Sequence, residues 1–234
     1  MSATEFKTET RYLELVAGLF TGFLIISNVC SNRLVVLGPL EFDAGTLMFP
    51  LTYIFGDVLT EVYGFARSRR VIWTGFLALF LATLCLRLAS LFPEPEGFGG
   101  AGVWDQALAL TPRLAFASLT AYLIGEFANS AILAKMKVRN RQHTARRFIF
   151  STAVGQSLDT CIFASIAFLG VLDNRLWLTL VISNYIYKVG FEIILLPVTL
   201  TVTRKIKKAE GLDVIDKNPS LNPFRWRLEQ PVEN

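Results

Sequence analysis

The chain holds one histidine, His143, and three cysteines, Cys30, Cys85 and Cys161, which are scattered through separate apolar segments. No C-x-x-C, H-E-x-x-H or mixed Cys/His spacing occurs, so no metal site is expected, and the cysteines read as small core or lipid-facing residues. His143 stands in a basic segment, which leaves a Ser/His intramembrane hydrolase without a base at mid-membrane depth. G-x-x-x-x-G-K-[ST] is missing too, so the chain does not hydrolyse ATP by itself. No catalytic residue is assigned, no cofactor is expected, and the chain does not read as an enzyme. Charge is sparse at 18% of 234 residues. What replaces it is 53% hydrophobic residues, 19 Phe and a mean hydropathy of +0.46, too apolar for a soluble domain of this size.

The class that remains is an all-α integral membrane protein whose partner is the lipid bilayer. The net charge of +4 comes from short Lys/Arg clusters beside apolar runs, a distribution that sets topology and does not point to nucleic acid. No small-residue cleavage site follows the first apolar run, which therefore reads as a span and not as a signal peptide.

Six transmembrane helices are expected, at residues 12–32, 45–70, 71–92, 113–134, 148–170 and 176–203. Placing both termini in the cytoplasm puts every strongly basic segment on one side, including the acid-free stretch from Lys135 to Arg147 and the Arg204–Lys208 cluster. Residues 1–11 then form a cytoplasmic tail, 12–205 the six-helix domain, and 206–234 a polar, loosely ordered cytoplasmic tail. Residues 35–45 read as an external turn, and the Pro/Gly-rich 93–112 as an acidic external loop, either a lid or a connector. GDVLTE at 56–61 and GQSLDT at 155–160 echo each other in spans of opposite direction, as an inverted three-plus-three repeat would arrange them.

The stretch from Gly45 to Arg70 organises the rest. Helical spacing puts Pro50, Tyr53, Asp57, Thr60, Glu61 and Gly64 on one side and Leu51, Ile54, Phe55, Val58 and Val62 on the other, which reads as the lipid face. A carboxylate in mid-membrane costs about 2.5–3.5 kcal/mol on insertion scales, so Asp57 is expected to face protein or a wet cavity. Glu61 is near enough to the cytoplasmic end to reach water instead. Other spans add Asn28, then Glu126 with Asn129, then Gln156 with Asp159, and finally Asn184, Lys188 and Glu192 at i, i+4 and i+8. The acids outnumber Lys188, the one deep cation, so some are expected to be protonated, solvated, or waiting for a partner that the chain does not itself supply. A guanine-like edge fits, because a carboxylate accepts from a ring N–H and an amino group together while Gln156, Asn129, Asn184 or Lys188 serves the carbonyl oxygen. Tyr53, Phe127, Phe163 or Tyr185 would cover the ring. Asn28 reads equally as a bridge between helices, and Lys188 with Glu192 as an intrahelical pair.

FPLTYIFGDVLTEVYGFARSRRVIW, residues 49–73, resembles the queuosine precursor transporter family, also called the vitamin uptake transporter family. The resemblance continues through residues 155–160 and 185–188 and covers 12–205. It implies a six-span, multi-pass carrier in the bacterial inner membrane that imports 7-deazaguanine precursors of queuosine: 7-cyano- or 7-aminomethyl-7-deazaguanine, or free queuine. The family's polar motifs carry over onto Asp57, Asp159 and Lys188. Glu61 departs from some members, as does the order of Glu126 and Asn129, and these positions read as tuning the preferred precursor or as incidental. Two rival readings remain at this point: a substrate-capturing subunit of an energy-coupling-factor vitamin importer with separate ATPases, and a membrane-embedded enzyme using Asp57 and Glu61 as an acid pair. Oligomeric state is open between a monomer and a homodimer.

Overall fold

Gly64 decides how the first half of the chain is built. Its φ of +84° is a conformation that side-chain-bearing residues rarely adopt, and the helix expected to run unbroken through residues 45–70 stops there. The computed structural model describes residues 10–31, 33–38, 40–97, 99–108, 112–139, 142–214, 222 and 224. Helix α1 covers Leu13–Cys30. Strands β1 (Leu34–Leu37) and β2 (Leu40–Asp43) follow as an antiparallel hairpin in the register Leu34↔Asp43, with Gly38 at φ +60° in its turn. A 3-10 turn, Ala44–Leu47, leads into α2, Phe49–Tyr63, and Gly64 separates α2 from α3, Phe65–Ala89. Next come a short helix α4, Ala101–Leu108, and the three long helices α5 (Pro112–Arg139), α6 (Thr144–Phe168) and α7 (Asn174–Glu210).

Two connectors differ from expectation. The turn at 35–45 is a hairpin that lays Phe42 on Tyr187 of α7, ring centroids 4.7 Å apart. The loop at 93–112 contains α4, on which Gly102, Val103, Trp104 and Asp105 are exposed.

Five helices, α1, α3, α5, α6 and α7, are long and apolar enough to cross a membrane. Their outer sides expose large apolar residues, among them Leu77, Phe80, Leu81 and Leu84 on α3 and Ile182, Ile186, Ile193 and Ile194 on α7. So much exposed apolar surface suits lipid and not water. The protein is a mostly helical, multi-pass membrane protein.

Helix α2 is different. It packs against α1, α3, α5 and α7. Ile54, Val58 and Val62, expected to face lipid, are buried along with Tyr53, Asp57 and Glu61. That expectation is corrected: a 15-residue helix ringed by longer neighbours has no lipid face, and only Leu51 and Phe55 are even half-buried. Polar contacts hold it in place. The hydroxyls of Thr60 on α2, Ser68 on α3 and Ser130 on α5 form a buried triangle with sides of 2.8, 3.0 and 3.3 Å.

The end of the bundle where α2 meets α3 is rich in cations, and the chain beyond residue 205 is part of it. Helix α7 continues to Glu210, whose carboxylate accepts from the Arg11 and Tyr12 amides at the start of α1 and from the Tyr63 hydroxyl, at 2.7–2.9 Å. Past Gly211 the chain turns under α2: the Val214 amide donates to the Val62 carbonyl, and Lys137 donates to the Val214 carbonyl. Further on, Arg69 donates to the Asn222 carbonyl and Phe224 packs on Trp73. The described part of the tail is therefore docked, contrary to the expectation of a loosely ordered segment. Burial would raise the Asp213 carboxyl, but the Lys137 and Lys207 ammonium groups at 2.7 and 2.8 Å outweigh it and hold it below the ordinary carboxylate value. A depressed carboxyl contributes stability at neutral pH and loses that contribution as pH falls through its lowered value.

Candidate functional site

Four helices, α2, α5, α6 and α7, bring most of the singled-out polar residues to one place. The closest approach is between α5 and α6, where Gly125 and Gly155 lie against each other. A methyl group on Gly155 would stand 2.8 Å from the Asn129 Cβ and 3.0 Å from the Gly125 carbonyl oxygen. One on Gly125 would stand 2.8 Å from the Asp159 Cβ and 2.9 Å from the Tyr53 hydroxyl, and one on Gly56 would overlap the Glu126 carboxylate. The glycines thus let α5 fit between α2 and α6 and set Tyr53, Glu126, Asn129 and Asp159 side by side.

A Gly155→Ala variant is expected to lose about 1–3 kcal/mol through overpacking. Gly22→Ala, where an added methyl meets nothing within 4 Å, is expected to be neutral or stabilising. Thermal unfolding of the two in detergent checks the contrast, and equal midpoints would contradict the tight crossing.

Within the cluster, the Asn129 amide donates to Asp57 Oδ1 at 2.9 Å, joining α5 to α2. Lys188 Nζ pairs with Asp159 Oδ2 at 2.7 Å, joining α7 to α6, and lies 4.7 Å from the centre of the Phe49 ring. Glu192 Oε1 accepts from Thr152 Oγ1 at 2.5 Å. The alternative reading of Lys188 with Glu192 as an intrahelical pair does not hold: the two side chains take separate partners on α6. All of these groups are buried, with Lys188 at 6% and Glu192 at 7% exposure the most open of them. The notable feature is what lacks a partner. Asp57 Oδ2, both Glu126 carboxylate oxygens, Glu192 Oε2, Asn129 Oδ1, both amide atoms of Gln156 and the Tyr53 hydroxyl make no hydrogen bond among the described residues. Buried polar groups are nearly always satisfied, and this concentration of exceptions makes the cluster the candidate site.

A narrow cleft of about 10 Å³, room for about one water molecule, runs between α6 and α7 to Asp57, passing Thr152, Val189, Glu192 and Leu196. It has an acidic end and an apolar wall.

Three candidates lie apart from this cluster. Asn28 is held by helix–helix contacts: its Oδ1 accepts from Ser118 on α5 and its amide donates to the Leu24 carbonyl. Asn184 accepts from Thr46 at 3.3 Å and ties α7 to the 3-10 turn before α2. Glu61 does not reach water. It is fully buried, and Oε1 accepts from Arg147 at 2.7 Å and Lys207 at 2.6 Å, with Lys137 Nζ 3.8 Å away. Of the two readings of Glu61, solvated or functional, the solvated one is overturned by these three cations, two of which, Arg147 and Lys137, are themselves buried. Charge counting missed them because Lys137 and Arg147 flank a basic segment and read as topology signals, whereas here they turn inward. Asp57 and Glu61 are consequently not a free acid pair. His143 lines a separate cavity at the basic end with Arg146, Arg204 and Lys207. Of the aromatic candidates, Phe127 packs on Trp73, Phe163 packs on Phe168, Tyr185 is half-buried on α7, and Tyr53 is fully buried beside Asp159. No group of His, Cys, Asp and Glu among the described residues could hold a metal ion.

Comparison with known proteins follows the same lines. A family model described as "Putative vitamin uptake transporter" matches residues 43–202. A Bacillus subtilis protein named "Probable queuosine precursor transporter" is 29% identical over 202 residues, which is 82% of this chain and 86% of that protein. A Haemophilus influenzae protein of the same name is 26% identical over 154 residues, 64% of this chain and 63% of the relative. No solved structure matches the chain.

Proposed function

The chain belongs to the vitamin uptake transporter family, and from that membership we propose that it imports a 7-deazaguanine precursor of queuosine across the bacterial inner membrane. The candidate cargoes are 7-cyano-7-deazaguanine, its 7-aminomethyl counterpart and queuine. What supports the reading beyond the relatives' names is the set of unpaired polar atoms on Asp57, Glu126, Gln156 and Tyr53 between α2, α5 and α6. A carboxylate oxygen accepts from the ring N–H and amino group of a guanine edge, the Gln156 amide donates to its carbonyl oxygen, and Tyr53 supplies both a hydroxyl and an aromatic face.

In this proposal the chain crosses the bilayer six times with both termini in the cytoplasm. Helix α2 is the sixth span: about 22 Å of α-helix plus about 8 Å of the preceding 3-10 turn match a hydrocarbon core of about 30 Å. Helices α1–α3 and α5–α7 form the two halves of an inverted repeat. The Glu61 cluster, one helical turn from Asp57, closes the cytoplasmic side, and the Thr46–Asn184 contact lies toward the other. Alternating access opens one closure at a time, with α6 and α7 parting along the cleft to admit a base. Every residue of the site comes from one chain, so a homodimer would pair two complete carriers.

Uptake of labelled precursor by liposomes containing only the purified protein tests this directly. Transport without any ATPase subunit is expected, and Asp57→Asn is expected to cut it at least tenfold with insertion unchanged. Normal transport by Asp57→Asn would remove Asp57 from the site. A requirement for added ATPase subunits and ATP would favour the energy-coupling-factor reading.

A further inference from the structure

Acidic side chains outnumber basic ones at the site, among the described residues. Asp57, Glu126, Asp159 and Glu192 meet a single neighbouring cation, Lys188, and that cation is committed to Asp159 at 2.7 Å. Two of the other three touch only uncharged donors: Asp57 Oδ1 takes the Asn129 amide and Glu192 Oε1 takes the Thr152 hydroxyl. Left over are Asp57 Oδ2, Glu192 Oε2 and both oxygens of Glu126, all buried and without a hydrogen bond among the described residues. A second, independent group marks the same place as a polar site. The Tyr53 hydroxyl is fully buried and unpartnered, and it lies beside Asp159 at the Gly125 crossing.

Resting on the carrier reading above, we propose that the site selects a planar base bearing a primary ammonium group over its uncharged nitrile analogue, and that the membrane potential drives its entry. An ammonium brings three donors and one positive charge to a place that, among the described residues, has four unsatisfied carboxylate oxygens and no cation besides the paired Lys188. A nitrile brings only an acceptor, which can take a hydrogen bond from the Gln156 amide or the Tyr53 hydroxyl but leaves the carboxylate oxygens of Asp57, Glu126 and Glu192 without a donor. Buried sites built around hydrogen-bond acceptors discriminate sharply against ligands that lack the donor. The cargo's charge also supplies the energy. One elementary charge crossing 100 mV gains about 2.3 kcal/mol, which corresponds to roughly 50-fold accumulation inside a negative compartment without ATP.

The test uses the full chain in liposomes with a potassium diffusion potential set by valinomycin. The 7-aminomethyl compound is expected to bind about 10- to 100-fold more tightly than the 7-cyano compound. Its accumulation should rise about 50-fold at 100 mV, inside negative, while the nitrile's does not respond. Glu126→Gln should shrink the ratio of the two affinities. Equal affinities, a preference for the nitrile, or ammonium uptake indifferent to potential would overturn the proposal. A matched pair without the deazaguanine ring, 3-aminomethylindole and indole-3-carbonitrile, separates this from the substrate reading. If neither deazaguanine binds but 3-aminomethylindole outcompetes the nitrile, charge selection stands and the deazaguanine assignment falls. If neither pair shows a preference for the ammonium, charge selection is wrong.

Discussion

Lys188→Met is expected to unfold in detergent roughly 10 °C below the parent protein and to carry no cargo. Removing one member of a buried ion pair leaves its partner charged and unpaired, at a typical cost of about 3–5 kcal/mol, and each kcal/mol shifts the midpoint of a chain this size by about 2–4 °C. Asp159 is 3% exposed and, among the described residues, Lys188 is its ion-pair partner. Adding Asp159→Asn removes the stranded carboxylate, so the double variant is expected to regain most of the lost stability. Transport should stay absent in both, because the pair joins α6 to α7 beside the unpaired acids. If Lys188→Met melts with the parent, the two groups are not paired and the geometry of the site is wrong.

Glu61→Gln is the second large effect, and its sign is set by the surrounding cations. Arg147 and Lys207 both lie within 2.7 Å of Glu61 Oε1, and Lys137 is 3.8 Å away. Neutralising the carboxylate leaves three cations with Asp213 as the nearest compensation, and that side chain is 42% exposed. Like charges about 4 Å apart repel by about 4 kcal/mol at an effective dielectric of 20. The variant is expected to insert poorly, and Lys207→Gln in the same chain is expected to restore much of the yield by removing one of the three. Asp213→Asn, at a partly exposed position, should cost less than about 1 kcal/mol. Yield of folded protein by fluorescence size-exclusion chromatography checks all three. A well-folded Glu61→Gln variant would mean that the cluster does not hold this end of the bundle together.

Hydropathy found where the chain is apolar, and so it located the five long helices. It could not place their ends. Helix α7 runs on to Glu210 because Arg204–Glu210 is made of good helix formers and lacks proline, and nothing in an apolar window reports that. The break at Gly64 was written in the sequence, but a glycine among helix-compatible residues is a weak signal without its φ. The error on α2 was of another kind. Periodicity separates a polar from an apolar face, yet whether the apolar face meets lipid or other helices depends on how many neighbours surround it. Partner choice was illegible for the same reason. Spacing pairs Lys188 with Glu192 on one helix, whereas the fold offers Asp159 across the α6–α7 contact. Asp57, Glu126, Gln156 and Asp159 were legible because a buried polar side chain in an apolar segment is costly wherever the helix packs.

The most direct test of the central claim is the queuosine content of tRNA in a bacterial host that lacks both precursor synthesis and its own importer, at low external precursor, with and without this protein. Restored queuosine that Asp57→Asn abolishes, with the variant protein inserted at normal levels, is the predicted result. No restoration with 7-cyano-7-deazaguanine, 7-aminomethyl-7-deazaguanine or queuine, from well-inserted protein, would contradict it and leave a polar-site carrier with a different cargo.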